Sequence, residues 1–319
     1  MKTVKTILAA VSVWALSACQ HNEDTFLTYA NDPMAVHIQA GIASPNTRVN
    51  STGKGDTWDT GDRIFVTNTT SGAVEGKKES HYTYSGSAWT PGAASGYIVW
   101  ISGVNNSFEA FYPYDEASST SFTTFTLPAN QSSDEPSNAN YMGRADWMLA
   151  EEPGMTKPDD ATLSLNFEHQ LAKVTVKITD YATQYETEKP EFEAPVFTLP
   201  TQETGITGKT LDVEAGSTTV TGLLTKDESA AAQHSFTAIL LPGKYSASDH
   251  FLTLKTGTGE TLTVKASHTQ LTQTGLEPGK AYTFGLSVGK DALTLGSVTV
   301  NDWTAGTPIP GGEAVEETE

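Results

Sequence analysis

Along most of the chain, apolar side chains fall on every second residue. In Leu163-Ser164-Leu165-Asn166-Phe167 one face carries two leucines and a phenylalanine, and the other carries Ser and Asn. In Lys173-Val174-Thr175-Val176-Lys177-Ile178 the apolar face is Val, Val and Ile. Successive side chains of a strand point to opposite sides, so a period of two marks a strand with one buried face. Runs of this kind predict strands at 35–42, 63–67, 97–101, 108–112, 122–127, 146–150, 162–167 and 171–178. Further runs predict strands at 196–199, 217–221, 235–241, 251–255, 261–265, 282–288 and 293–300. Turn formers separate them: Ser102-Gly103, Pro113, Pro242-Gly243 and Glu277-Pro278-Gly279. The strands at 251–255 and 261–265, joined by Thr256-Gly257-Thr258-Gly259-Glu260, predict a hairpin. No long stretch has helical periodicity. Short strands with frequent turns and no alternation with helices predict an all-β fold of β-sandwiches.

The polar, proline-containing segment 151–160 predicts a boundary between two sandwiches, 31–157 and 158–303. A second loose stretch, 181–194, reads as a loop or edge insertion within the second. Residues 304–319 hold Pro308, Pro310, Gly311, Gly312 and the glutamates 313, 316, 317 and 319, and predict a disordered acidic tail.

Charge narrows the partners. The chain has 319 residues, with 38 Asp and Glu against 19 Lys and Arg, a formal net charge of -19. That excess argues against nucleic acid, whose counterions only Lys and Arg can displace, and against charge-driven docking on anionic lipid. The one cysteine allows no disulfide within the chain, so the apolar core must supply the stability.

That cysteine has a telling place. Lys2 and Lys5 precede an apolar run at 7–15, too short to span a bilayer, and the run ends in Leu16-Ser17-Ala18-Cys19. Small residues before a cysteine look like a lipobox, in which the signal, 1–18, is removed and the Cys19 thiol is acylated. Acyl chains then hold an otherwise soluble protein to the membrane. Residues 19–30 become a lipidated tether. No later segment is apolar enough to cross a bilayer.

Catalytic and metal chemistry find no purchase. The histidines 21, 37, 81, 169, 234, 250 and 268 are dispersed, and no His-Glu-x-x-His occurs. His169, beside an apolar strand, reads as a structural hydrogen-bonding residue. There is no Gly-x-Ser-x-Gly elbow. Gly205-Ile206-Thr207-Gly208-Lys209-Thr210 ends like a phosphate loop, but position 203, where the first glycine belongs, is Glu203. The acidic pairs Asp134-Glu135, Glu151-Glu152 and Asp159-Asp160 lack the alternate oxygens and central glycine of a calcium loop. Trp58, Trp89, Trp100, Trp147 and Trp303 adjoin strands and are expected in the core; any exposed ones would be candidates for stacking on glycans. The expectation is a non-enzymatic protein without cofactor or metal.

Several landmarks together resemble the fimbrillin family of Bacteroidetes, the Mfa-like pilin lipoproteins. They are Thr47-Arg48, Trp58-Asp59-Thr60-Gly61-Asp62-Arg63-Ile64-Phe65-Val66, Phe108-Glu109-Ala110-Phe111-Tyr112-Pro113-Tyr114 and Asp146-Trp147-Met148-Leu149-Ala150. The second half adds Leu165-Asn166-Phe167-Glu168-His169-Gln170-Leu171-Ala172-Lys173-Val174, Leu240-Leu241-Pro242-Gly243, Gly279-Lys280-Ala281-Tyr282 and Val298-Thr299-Val300-Asn301-Asp302-Trp303. Acidic residues soon after Cys19 likewise resemble the surface-export signal of Bacteroidetes lipoproteins. The resemblance implies two transthyretin-like sandwiches in tandem, and display at the outer membrane or in a fimbrium. It also implies maturation by cleavage after an arginine, which removes a first strand whose groove is filled by a strand of the next subunit, a β-augmentation. Here the matching parts are Val36, Ile38 and Ile42 of the first strand and Arg48 in the following loop. The implied partners are other fimbrial subunits, joined by donor-strand exchange, and host or bacterial surface ligands. One departure stands out: after Trp303 only Pro, Gly and acidic residues dominate, so either 293–300 donates a strand or the protein is a tip or accessory subunit. The alternative reading is a surface glycan-binding lipoprotein of a polysaccharide-uptake system, which exposed aromatics lining a cleft would favour.

Overall fold

The computed structural model describes residues 27–42, 58–92, 96–185, 189–201, 206–227, 233–289, 292–302, 308–309 and 313–315. The signal segment 1–18, Cys19, the tether up to residue 26, Arg48 and Trp303 lie outside the described residues.

The fold is all-β, and no α-helix occurs among the described residues. The first eight strands are β1 (His37–Ile42), β2 (Arg63–Asn68), β3 (Glu79–Tyr84), β4 (Trp89–Pro91), β5 (Asn106–Tyr112), β6 (Thr124–Leu127), β7 (Met148–Met155) and β8 (Thr162–His169). Then come β9 (Ala172–Tyr181), β10 (Val196–Thr198), β11 (Thr210–Val213), β12 (Thr219–Thr221), β13 (Leu223–Asp227) and β14 (Gln233–Leu240). The last six are β15 (His250–Lys255), β16 (Thr261–Lys265), β17 (Lys280–Val288), β18 (Ala292–Asp302), β19 (Pro308–Ile309) and β20 (Glu313–Val315).

Seven strands form the first sheet, in the order β1-β8-β7-β5-β2-β3-β4. Alternation decides its faces: on β8, Leu163, Leu165 and Phe167 are buried while Ser164, Asn166 and Glu168 face water. The buried side chains join Val36, Ile64, Val66, Tyr82, Phe108 and Trp100 in one core. The second sheet runs β13-β14-β9-β17-β18-β19, with β20 also on β18. A four-stranded sheet, β12-β10-β15-β16, packs against it. Phe251 of the small sheet meets Phe284 of the large one at a ring separation of 5.2 Å. This is a sandwich, two sheets sharing a core of interleaved apolar faces. The predicted hairpin is present as the antiparallel pair β15 and β16.

The two cores are joined by the chain between β5 and β7. β6 leaves the first sheet and pairs in parallel with β11, Phe125 opposite Leu211. Phe125, Leu127, Met142, Ala145 and Trp147 belong to the core of the second half.

Three expectations need correction. The predicted boundary at 157/158 does not divide the sheets: β7 runs through Met155, and β8 returns to the first sheet, so the change of sheet falls between His169 and Ala172. A polar surface run looks the same whether it links domains or extends an edge. In the tail, where no strand was expected, residues 308–309 and 313–315 pair with β18. The run at 97–101 is not an extended ladder; it makes a single bridge, Val99 to Ala35, and adjoining backbone bonds. Six strands went unpredicted: β3, β4, β11, β13, β19 and β20. β3, with Ser80, Tyr82 and Tyr84 on its inner face, carries too few apolar residues to show a period.

Candidate strand-exchange site

β1 lies at one edge of the first sheet and pairs in parallel with β8 through six positions, from His37 opposite Thr162 to Ile42 opposite Phe167. A parallel pair needs a long connection, and the chain between the two strands supplies it. Ile38, Ala40 and Ile42 are half-buried and pack on the core, while Gln39 and Gly41 face outward. Val36, just before the strand, is fully buried. The residues singled out in sequence, Val36, Ile38 and Ile42, therefore share the inward face.

The face of β8 beneath β1 is apolar. Leu163, Leu165 and Phe167 of β8 are 0%, 2% and 0% exposed. Trp58 closes the far side: its indole Nε1 donates to the Ala40 carbonyl at 2.8 Å. The same ring meets Trp89 of β4 edge-on at 5.0 Å, and Phe167 at 5.4 Å. The two edges of the sheet are thus drawn together around one indole. The turn that presents Trp58 is built by its neighbours. Asp59 N donates to Asp62 Oδ2, Gly61 takes a φ of 97°, and Tyr112 donates its hydroxyl to Asp62 Oδ1. Glycine is the natural occupant at that φ.

The residues before β1 hold more firmly. Val36 N donates to Ile98 O at 3.0 Å, and Trp100 N to Met34 O at 2.8 Å. Buried Asp32 accepts from Met34 N at 2.8 Å and from the Tyr97 hydroxyl at 3.0 Å. The Lys77 ammonium sits 3.3 Å over the Tyr97 ring, and Tyr29 packs against Tyr82 and Tyr97. Burial alone raises the pKa of Tyr29, so that phenol stays neutral. Trp100 Nε1 donates to Ala161 O at 2.9 Å, tying this anchor to the start of β8. The sequence reading placed the exchange in β1 and missed the anchor at Tyr29, Asp32, Tyr97 and Trp100. The aspartate and the rings are scattered over some seventy residues, with no pattern between them.

Other candidates resolve plainly. His169 Nδ1 lies 2.7 Å from Asp146 Oδ1, with both side chains buried, which is the structural hydrogen bond expected of it. No group of three or more His, Cys, Asp or Glu able to hold a metal occurs among the described residues. No described helix is long and apolar enough to cross a membrane. Trp89, Trp100 and Trp147 are buried and Trp58 is half-buried, so no described tryptophan forms an exposed platform.

Known proteins give the fold a context. No curated protein matches the chain. A crystal structure of a protein assigned to cell adhesion from Bacteroides uniformis superposes with a TM-score of 0.58 at 20% identity, over 85% of this chain and 98% of that one. A second, from Bacteroides ovatus and assigned the same role, gives 0.57 at 16%, over 86% and 99%. Both are similar in fold. The model of the fimbrillin-like family matches residues 47–303. The order of motifs from Trp58 to Asp302 and the all-β architecture agree with it: the chain belongs to the fimbrillin-like family, a family of structural subunits and not of enzymes.

Proposed function

We propose that this fimbrial subunit assembles by strand exchange. The segment ending in β1 is its removable strand, Arg48 the cleavage point, and Cys19 the lipid anchor to the outer membrane before release into a fimbrium. One observation supports this most: a single edge ladder with half-buried side chains covers three fully buried residues of β8. Burying a large aliphatic or aromatic side chain is worth about 1.5–3 kcal/mol, so an empty slot would be costly and would take a replacement strand readily. The anchor at Tyr29–Val36 fits the same reading. It keeps the strand in place until a competitor arrives, so the slot is never bare.

The chain is an acceptor first. β18, the candidate donor, is held by eight paired positions to β17 and is covered on its other edge by β19 and β20. Pulling it out would open the second core. This supports a tip or accessory position, where a donor is not required, and a tip is where adhesion to a host or bacterial surface would reside.

The test is mass spectrometry of both termini of surface-released material, followed by binding of a labelled peptide with the sequence of 35–42 to the Arg-cleaved chain. An N-terminus at Val49, co-purifying subunits and saturable peptide uptake are expected. An N-terminus upstream of Val49, together with no uptake after cleavage in vitro, would overturn the reading.

A further inference from the structure

The chain has three arginines, at 48, 63 and 144. Arg63 and Arg144, far apart in sequence, line one open groove of about 570 Å³ between the β5–β6 loop and the 3-10 turn Met142–Ala145. The floor is Pro113, Phe125 and Pro128; Ser118, Ser119, Thr120 and Thr126 supply hydroxyls. In a chain with a net charge of -19, bringing two of its three arginines to the lining of one concavity is the opposite of what average composition would place there.

Their engagements leave room for a ligand. Arg63 donates to Glu116 at 2.9 Å, but Glu116 is 67% exposed, and such a surface pair is weak and exchangeable. The Arg63 guanidinium also lies 5.1 Å over the Tyr114 ring, and His81 stacks on the same ring at 5.1 Å. That packing fixes the direction of the Arg63 stem. Arg144 is exposed and has no ion-pair partner among the described residues. Two carboxylates complete the lining. Asp115 Oδ1 accepts from Ala117 N, and Glu214 Oε2 accepts from Ala129 N; the second oxygen of each has no donor among the described residues.

We infer that this groove binds a saccharide bearing a carboxylate, with Arg63 and Arg144 holding the acid group and Asp115 and Glu214 accepting ring hydroxyls. A guanidinium offers a planar fork that matches a carboxylate, which a lysine does not. Asp115 and Glu214 together with the net charge would repel a polyacidic peptide. A sugar acid spreads one charge per ring among hydroxyls that can donate to those carboxylates. No tryptophan is needed, so recognition here is by charge and hydroxyl pattern. β1 contributes no residue to the groove, so removal of the exchanged strand leaves the lining intact.

This rests on the protein being surface-displayed but not on how it polymerises, and the experiment keeps the two apart. The purified full chain is titrated by calorimetry with tri-galacturonate and sialyl-lactose, with maltotriose and lactose as neutral controls. Tri-glutamate tests bare charge. Saturable binding of at least one acidic sugar is expected, about tenfold or more tighter than its neutral counterpart. R144Q and R63Q are each expected to weaken it by about tenfold, and R144K to restore less than half of the lost affinity. R144Q leaves peptide uptake by the β1 slot unchanged, and its thermal melt checks the fold. Equal binding of acidic and neutral sugars, stronger binding of tri-glutamate, or binding unchanged in the R63Q/R144Q pair would overturn the proposal. So would no binding of any probe.

Discussion

Gln131 shows how one residue can hold a joint. It is fully buried, and its amide reads the backbone of β14 in both directions: Nε2 donates to Ile239 O at 2.9 Å, and Ile239 N donates to Oε1 at 2.8 Å. Replacing it with Ala would orphan a buried N–H and a buried carbonyl together, so Q131A should lose about 2 kcal/mol or more in urea unfolding. Nothing in Asn130-Gln131-Ser132-Ser133 announces this role, because a loop glutamine carries no periodicity. His169 was legible as a hydrogen-bonding residue because it follows an alternating strand, but its partner Asp146 was not, being 23 positions away. The tyrosines make a pH prediction. Burial raises Tyr282 and Tyr181 to about 12, and Tyr245 well above its ordinary value. Each is neutral in the fold, so its contribution is complete below pH 10. It fades above pH 10, where the unfolded phenols ionise first, and for Tyr282 and Tyr181 it levels off past about pH 12. Urea midpoints should therefore fall steadily from pH 10 upward, and tyrosinate absorbance should lag until unfolding.

At the scale of elements, period two identified faces more reliably than partners. It placed Val36, Ile38 and Ile42 on one side of β1 and Leu163, Leu165 and Phe167 on one side of β8, and both sides face the core. It could not say that these strands are neighbours, since the intervening chain holds five other strands of the same sheet. Pairing is set by the joint fit of many faces, which no single run encodes. The consequence can be tested at Val36. V36D would bury an unpaired carboxylate at the anchor and should destabilise the first sheet by about 3 kcal/mol or more. Q39K, on the outward face of β1, should change stability by less than about 0.5 kcal/mol. Limited proteolysis would show V36D losing the N-terminal segment first while the second sandwich persists, if β1 is an independently detachable edge. Simultaneous digestion of both halves would instead make β1 part of one indivisible core.

For the whole molecule the decisive feature is the crossing chain from Tyr114 to Trp147. The sequence suggested two beads joined at 157/158. The structure instead sends β6 to pair with β11, stacks Phe125 on Trp147 at 5.4 Å within the second core, and returns β8 to the first sheet. Each half therefore lends the other something it cannot replace: 31–157 would lack β8, the strand on which β1 lies, and 158–303 would lack Phe125, Leu127, Met142 and Trp147. Removing several fully buried side chains costs about 3–5 kcal/mol for each large aromatic, against a total stability of about 5–15 kcal/mol for a domain. Neither fragment, 31–157 nor 158–303, should give a cooperative thermal melt on its own. Moving the cut to 169/170 restores β8 but still strands β6, so the second fragment should remain molten, with exposed apolar surface that binds dye. Mixing the two fragments cut at 169/170 should recover a melt close to that of the intact chain, because the missing β6 pairs in trans. If 158–303 alone melts cooperatively, the crossing segment is an ornament on a self-sufficient sandwich and force along a fimbrium would pass through a linker. If it does not, a pull on the first sheet is passed through β6 and β11 to the second core, and the two halves resist it as one body.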